Sequence, residues 1–105
     1  MTDCICMVQA GQISAAQQEA LRSATSDFAQ RNFGSAANFN WVEVPEGRGF
    51  TAAKPSTSVI VSVRSDRSLA PSERVPLLHE LEGIWREHSG RGPDEVVSVI
   101  TDPLQ

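Results

Sequence analysis

The chain opens on a short apolar run, Cys4-Ile5-Cys6-Met7-Val8, partly β-branched and followed by Gly11, which predicts a strand over residues 2 to 9 that ends in a turn. Ser14-Ala-Ala-Gln17 then has the form of a capping box: the serine hydroxyl accepts from an orphan amide of the first turn while the glutamine reaches back. A helix starts there, with Leu21, Ala24 and Phe28 on one stripe, and stops at Asn32-Phe33-Gly34. Residues 38 to 44 alternate, with Phe39, Trp41 and Glu43 on one side and Asn40, Val42 and Val44 on the other, so a second strand carries its aromatic groups on one face.

Pro45 to Thr57 is rich in Pro, Gly and small residues and reads as a loop, either a lid or binding edge beside the sheet or a plain connection. Ser58 to Arg64 is the clearest strand, with Val59, Val61 and Val63 on one face and Ser58, Ile60, Ser62 and Arg64 on the other. A second helix begins at Ala70-Pro71, where proline suits the first helical position and Glu73 opposes the macrodipole. Leu77, Leu78, Leu81, Ile84, Trp85 and His88 form its buried stripe, while Pro76 and Gly83 predict a bend or an irregular first turn. After Ser89-Gly90, Pro93-Asp-Glu leads into a last strand from Val96 to Thr101.

This order predicts an α+β fold: two β-α-β units forming one four-stranded mixed sheet with two helices on one face, as a single domain over residues 1–105. The other sheet face, bearing Ile60 and one row of the last strand's valines, is too apolar for open water and is expected to pack against other subunits.

Composition narrows the functional classes. A formal net charge of -4 gives no electrostatic case for nucleic acid. No apolar stretch approaches a membrane span, and the amino terminus lacks the basic and apolar regions of a signal peptide, so a cytoplasmic protein is expected. Cys4 and Cys6 point the same way from one strand and read as reduced core residues. As a Cys-x-Cys metal pair they lack a further Cys or His close in sequence, so no metal or cofactor is expected. Tyrosine is absent, which removes one common catalytic acid.

The segment from Asn38-Phe-Asn-Trp through Pro45-Glu-Gly-Arg-Gly-Phe50, the strand Ser58-Val-Ile-Val-Ser-Val-Arg64 and the Arg64-x-x-Arg67 step into the second helix together resemble the tautomerase superfamily. The resemblance is to its cis-3-chloroacrylic acid dehalogenase-like branch and covers nearly the whole chain. It implies a trimer of the tautomerase or MIF-like fold. It also implies an amino-terminal proline acting as general acid or base, an arginine pair holding a substrate carboxylate, a histidine late in the first helix, a tyrosine in the last strand and a glutamate beyond it. Only the arginines match, as Arg64 and Arg67. The proline's place falls to Thr2, the histidine's to Phe28 and the tyrosine's to about Val99, and the glutamate's falls past residue 105. With the water-activating groups missing, dehalogenation is not expected.

Arg64 and Arg67 stand where a strand ends just before a helix, placed to converge on one anion with help from the helix's positive end. The competing structural role is pairing with Asp66 or Glu73. Thr2 is a catalytic candidate only if Met1 is removed, its primary amine then serving as a base or forming an imine with a keto substrate. His79 and His88 read as surface or helix-end residues. Arg48 and Lys54 are loop cations that either add positive charge near a carboxylate or are simply solvated, and Asp27 and Glu43 are acidic residues without an assigned role. The resulting expectation is a homotrimer binding a small carboxylate, a 2-keto or enol acid, with weak keto-enol tautomerase activity through the terminal amine. The alternatives are a non-catalytic trimeric homologue and a partner subunit of a proline-bearing homologue.

Overall fold

The computed structural model describes residues 2–45, 50–51, 54–55, 58–90 and 95–103. Its elements run β1 (Thr2–Gln9), α1 (Ala15–Phe33), β2 (Ala37–Val44), β3 (Phe50–Thr51), β4 (Lys54–Pro55), β5 (Val59–Arg64), α2 (Pro71–Ser89) and β6 (Val96–Thr101). The capping box forms in full: Gln17 N donates to Ser14 Oγ at 3.1 Å and Ser14 N donates to Gln17 Oε1 at 2.9 Å. Helix α1 ends at Gly34, whose φ of 76° is open to glycine at little cost, and the Gly34 amide closes on the Gln30 carbonyl.

Helix α2 is continuous from Pro71 to Ser89, with Pro76 inside it. Pro76 sits exposed in the second turn, so its missing donor affects only the first-turn carbonyl of Ser72. The segment read as a plain loop contains a short antiparallel ladder, Phe50 opposite Pro55 and Thr51 opposite Lys54. Two residues per strand are too few to leave a hydrophobic alternation in the sequence.

Among the described residues the main sheet has the order β2-β1-β5-β6, with β1 parallel to β2, β5 parallel to β6 and the central pair β1/β5 antiparallel. Each parallel pair is bridged by its own helix, as a β-α-β unit requires. Cys4, Cys6 and Val8 from β1 and Val59, Val61 and Val63 from β5 are buried in one core with Leu21, Phe28, Leu81 and Trp85 from the helices. The buried indole of Trp85 donates to the buried Thr25 hydroxyl at 3.1 Å and stacks on Trp41 at 5.8 Å between ring centroids. Ion pairs from Arg31 to Asp27 (2.9 Å) and Glu80 (3.1 Å) link the helices on their outer side.

Strand alternation puts Ile5, Met7, Ile60, Val97 and Val99 on the opposite face, where each is between 37% and 46% exposed. This is the apolar, uncovered face that the sequence predicts. No helix of the described residues is long and apolar enough to cross a membrane.

The turn from β5 into α2 is held from the far edge of the sheet. Ser65 N donates to the Thr101 carbonyl at 2.8 Å. Arg74 donates to the Ile100 and Leu69 carbonyls at 2.8 and 3.2 Å and pairs with Asp102, which in turn accepts from Leu69 N. The Arg64-to-Arg67 step is therefore anchored at both ends.

Candidate functional site

The register that sets Cys4 opposite Val63 brings the start of β1 against the end of β5. There a cavity of about 90 Å³ is lined by Thr2, Asp3, Ser35, Arg64, Ser65 and Asp66. Its walls are fixed by short hydrogen bonds. Thr2 N donates to the Ala36 carbonyl at 3.0 Å, and the Thr2 hydroxyl meets the Ser35 carbonyl and hydroxyl at 3.1 and 2.9 Å. Ser65 Oγ donates to the Arg67 carbonyl at 2.7 Å and accepts from Arg67 N at 3.1 Å, an ST-turn that sets the direction of the chain after β5.

Arg64 is the cation among the residues that line this cavity. Its Nη1 lies 3.5 Å from Asp3 Oδ2, a loose pair with both side chains substantially exposed. Its Nε is buried and has no acceptor among the described residues. A buried guanidinium donor without a partner loses its hydration for nothing in return, and an anion reaches it only if the Arg64 side chain turns toward the cavity.

Arg67 takes a different course. Its Nη1 donates to Asp66 Oδ1 at 2.7 Å and to the Asn32 carbonyl at 3.2 Å, and its guanidinium lies 5.9 Å from the centre of the Phe33 ring. It closes the carboxyl end of α1, where a cation is favoured by the macrodipole. The structure thus brings Thr2 and Arg64 to one cavity and sets Arg67 outside its lining. Glu73, the other acidic residue considered for the arginines, accepts instead from Ala70 N at the start of α2.

The remaining candidates lie elsewhere or outside the described residues. His79 is exposed and His88 half-buried on α2, and neither lines the cavity. Asp27 is paired with Arg31, and Glu43 is exposed on β2. Arg48 falls outside the described residues. Lys54 is described only as part of the β3/β4 ladder. Cys4 and Cys6 are free thiols with their sulfurs 3.7 Å apart. The neighbouring Cys4 thiol and then burial hold the Cys6 proton far above the ordinary thiol range, against a weaker opposing pull from Arg22. Cys6 is therefore a packing residue and a poor nucleophile. Among the described residues no group of three or more His, Cys, Asp or Glu is placed to hold a metal ion.

A second depression, of about 550 Å³, runs along α1 between Glu19 and Gln30 and reaches Phe39. Arg22 lies over the Phe39 and Trp41 rings there, at 5.5 and 5.3 Å. It is shallow and lined largely by the solvent side of a helix, whereas the smaller cavity is more enclosed and is lined by Arg64. Sequence reading missed Asp3, Ser35 and Ser65 as parts of that cavity. Only the antiparallel β1/β5 register brings Asp3 to Arg64, and no local pattern announces that register.

No family model matches the sequence, and no curated protein matches it. Solved structures do match the fold. The structure of native Ps01740 superposes with a TM-score of 0.84 over 96% of this chain and 93% of its own, at 21% identity. A symmetric trimer of a fused 4-OT gives 0.82 over 96% and 85%, at 17% identity. N1, a member of the cis-3-chloroacrylic acid dehalogenase family, gives 0.81 over 96% and 74%, at 13% identity. The fold of this chain is the tautomerase fold; at these identities the likeness establishes the fold alone.

Proposed function

We propose that this protein binds a small carboxylate, a 2-keto or enol acid, at Arg64 beside the start of β1. The observation that carries this reading is Arg64 as the cation of a polar cavity shared with Thr2, held only by a loose pair with Asp3 and with no acceptor for its Nε among the described residues. Arg67 contributes a second guanidinium only by leaving Asp66 and the Asn32 carbonyl, a rotamer change on a half-exposed side chain. The assembly is a cytoplasmic homotrimer built on the open apolar sheet face. Support comes from Ile5, Met7, Ile60, Val97 and Val99 on that face and from the trimeric state of fused 4-OT proteins with this fold.

Any proton transfer belongs to the form from which Met1 has been removed. The Thr2 nitrogen is then a primary amine with a reference pKa of about 7.7 to 8.0, able to act as a base near neutrality. With Met1 in place the same nitrogen is an amide and donates to Ala36. That bond favours a second reading, in which the trimer keeps the anion pocket for ligand binding or scaffolding, or serves as partner subunit to a proline-bearing homologue.

Ketonisation of a simple enol acid, followed for the wild type beside Arg64→Ala after intact mass has defined the amino terminus, separates these readings. Activity that falls with the substitution supports the enzyme. Activity that is absent, or that ignores the substitution, leaves the binding protein.

A further inference from the structure

The geometry points to Asp3 as the residue that sets which carboxylates this cavity accepts: of the 2-keto and enol acids proposed above it favours the enol, and with it other acids that carry a hydrogen-bond donor on the carbon beside the acid, such as 2-hydroxy or 2-amino acids. This rests on carboxylate binding at Arg64. Asp3 Oδ2 lies 3.5 Å from Arg64 Nη1, so a ligand whose carboxylate reaches the guanidinium puts its neighbouring substituent against the Asp3 carboxylate. An ionised carboxylate only accepts hydrogen bonds. A hydroxyl, enol or ammonium group donates to it, whereas a keto oxygen meets it lone pair to lone pair.

The charges of the lining favour the same choice. Within the lining Asp66 is paired with Arg67 at 2.7 Å, which leaves Asp3 as the carboxylate that faces the Arg64 guanidinium. A ligand carboxylate drawn to Arg64 adds a second negative charge beside Asp3, and an adjacent donor relieves part of that repulsion. The cavity of about 90 Å³ is well above the ~10–15 Å³ that admits a single water, which leaves room for one small acid. The looseness of the Asp3–Arg64 pair leaves both groups free to turn toward such a ligand.

The test uses three probes with one carbon skeleton, L-lactate, L-alanine and pyruvate, titrated by calorimetry or by chemical-shift changes into the wild type, Asp3→Asn and Arg64→Ala. The wild type is expected to bind lactate or alanine at least about tenfold tighter than pyruvate. Asp3→Asn, whose amide can donate as well as accept, is expected to bring the three affinities to within about threefold by tightening pyruvate. Equal affinities in the wild type, or a preference that survives Asp3→Asn, overturns the role of Asp3 while carboxylate binding stands if Arg64→Ala still abolishes it. Binding that ignores Arg64→Ala, or no binding of any probe, overturns both. Circular dichroism of each variant confirms that a lost preference reflects the site and not the fold.

Discussion

The buried hydrogen bond from Trp85 to Thr25 joins the two helices through the centre of the core, and its contribution can be isolated by a double-mutant cycle. Both residues are fully buried and the bond is 3.1 Å long. Thr25→Val removes the acceptor at nearly constant volume and strands the indole N–H, which costs about 1–3 kcal/mol. Trp85→Phe strands the Thr25 hydroxyl and leaves space where the indole was, costing about 2–4 kcal/mol. The double variant strands neither group, so its loss is expected to be smaller than the sum of the single losses by about 1 kcal/mol or more. A domain with a stability of about 5–15 kcal/mol tolerates each change. The assay is urea unfolding followed by far-ultraviolet circular dichroism, because Trp85→Phe removes one of the two fluorescent indoles. Losses that add to within about 0.3–0.5 kcal/mol would show that the bond contributes nothing beyond the packing around it.

Further outcomes follow from other parts of the molecule. The folded state keeps Cys6 protonated while the unfolded thiol loses its proton near the ordinary value of 9.0, so the Cys6 contribution is intact below that pH and lost as pH rises through it. The wild type should lose about 1.4 kcal/mol per pH unit more than Cys6→Ala above roughly pH 9.5, read from urea midpoints; equal slopes refute the assignment. Tyrosine is absent and Lys54 is the only lysine, which leaves this window unusually free of other titrating side chains. Ile60→Lys is expected to reduce the mass seen by light scattering from trimer to monomer while the circular dichroism spectrum persists, and an unchanged mass would exclude this face as the interface. Arg74→Ala frees the Ile100 and Leu69 carbonyls and Asp102, and should lower stability by about 1–2 kcal/mol, or roughly 4–16 °C in Tm.

Much of the architecture is written in local pattern. Alternation in Val59 to Arg64, the Ser14 capping box and the αL glycine at position 34 each specify an element without reference to the rest of the chain. Thr25 escaped that reading because a hydroxyl interrupts an apolar stripe, and only a donor from the other helix explains its burial. The site was half legible. Arg64 stands at a strand end, where its chemistry can be anticipated, but Asp3 reaches it through a non-local strand register. Arg67 resembles a second anion ligand in sequence, yet the nearby end of α1 offers it the Asn32 carbonyl and the Phe33 ring. Competition between a ligand role and a helix-closing role is settled by tertiary proximity, which spacing along the chain does not encode.

Carboxylate binding at Arg64 is tested most directly by titrating the protein with a small carboxylic acid, wild type against Arg64→Gln, while following amide shifts of Thr2, Asp3, Ser35 and Ser65. Those four signals should move together in the wild type and stay fixed in Arg64→Gln, with other amides alike in both. Shifts that persist in the variant, or that centre on Glu19 to Gln30 along α1, would place the ligand elsewhere and contradict the assignment of the site.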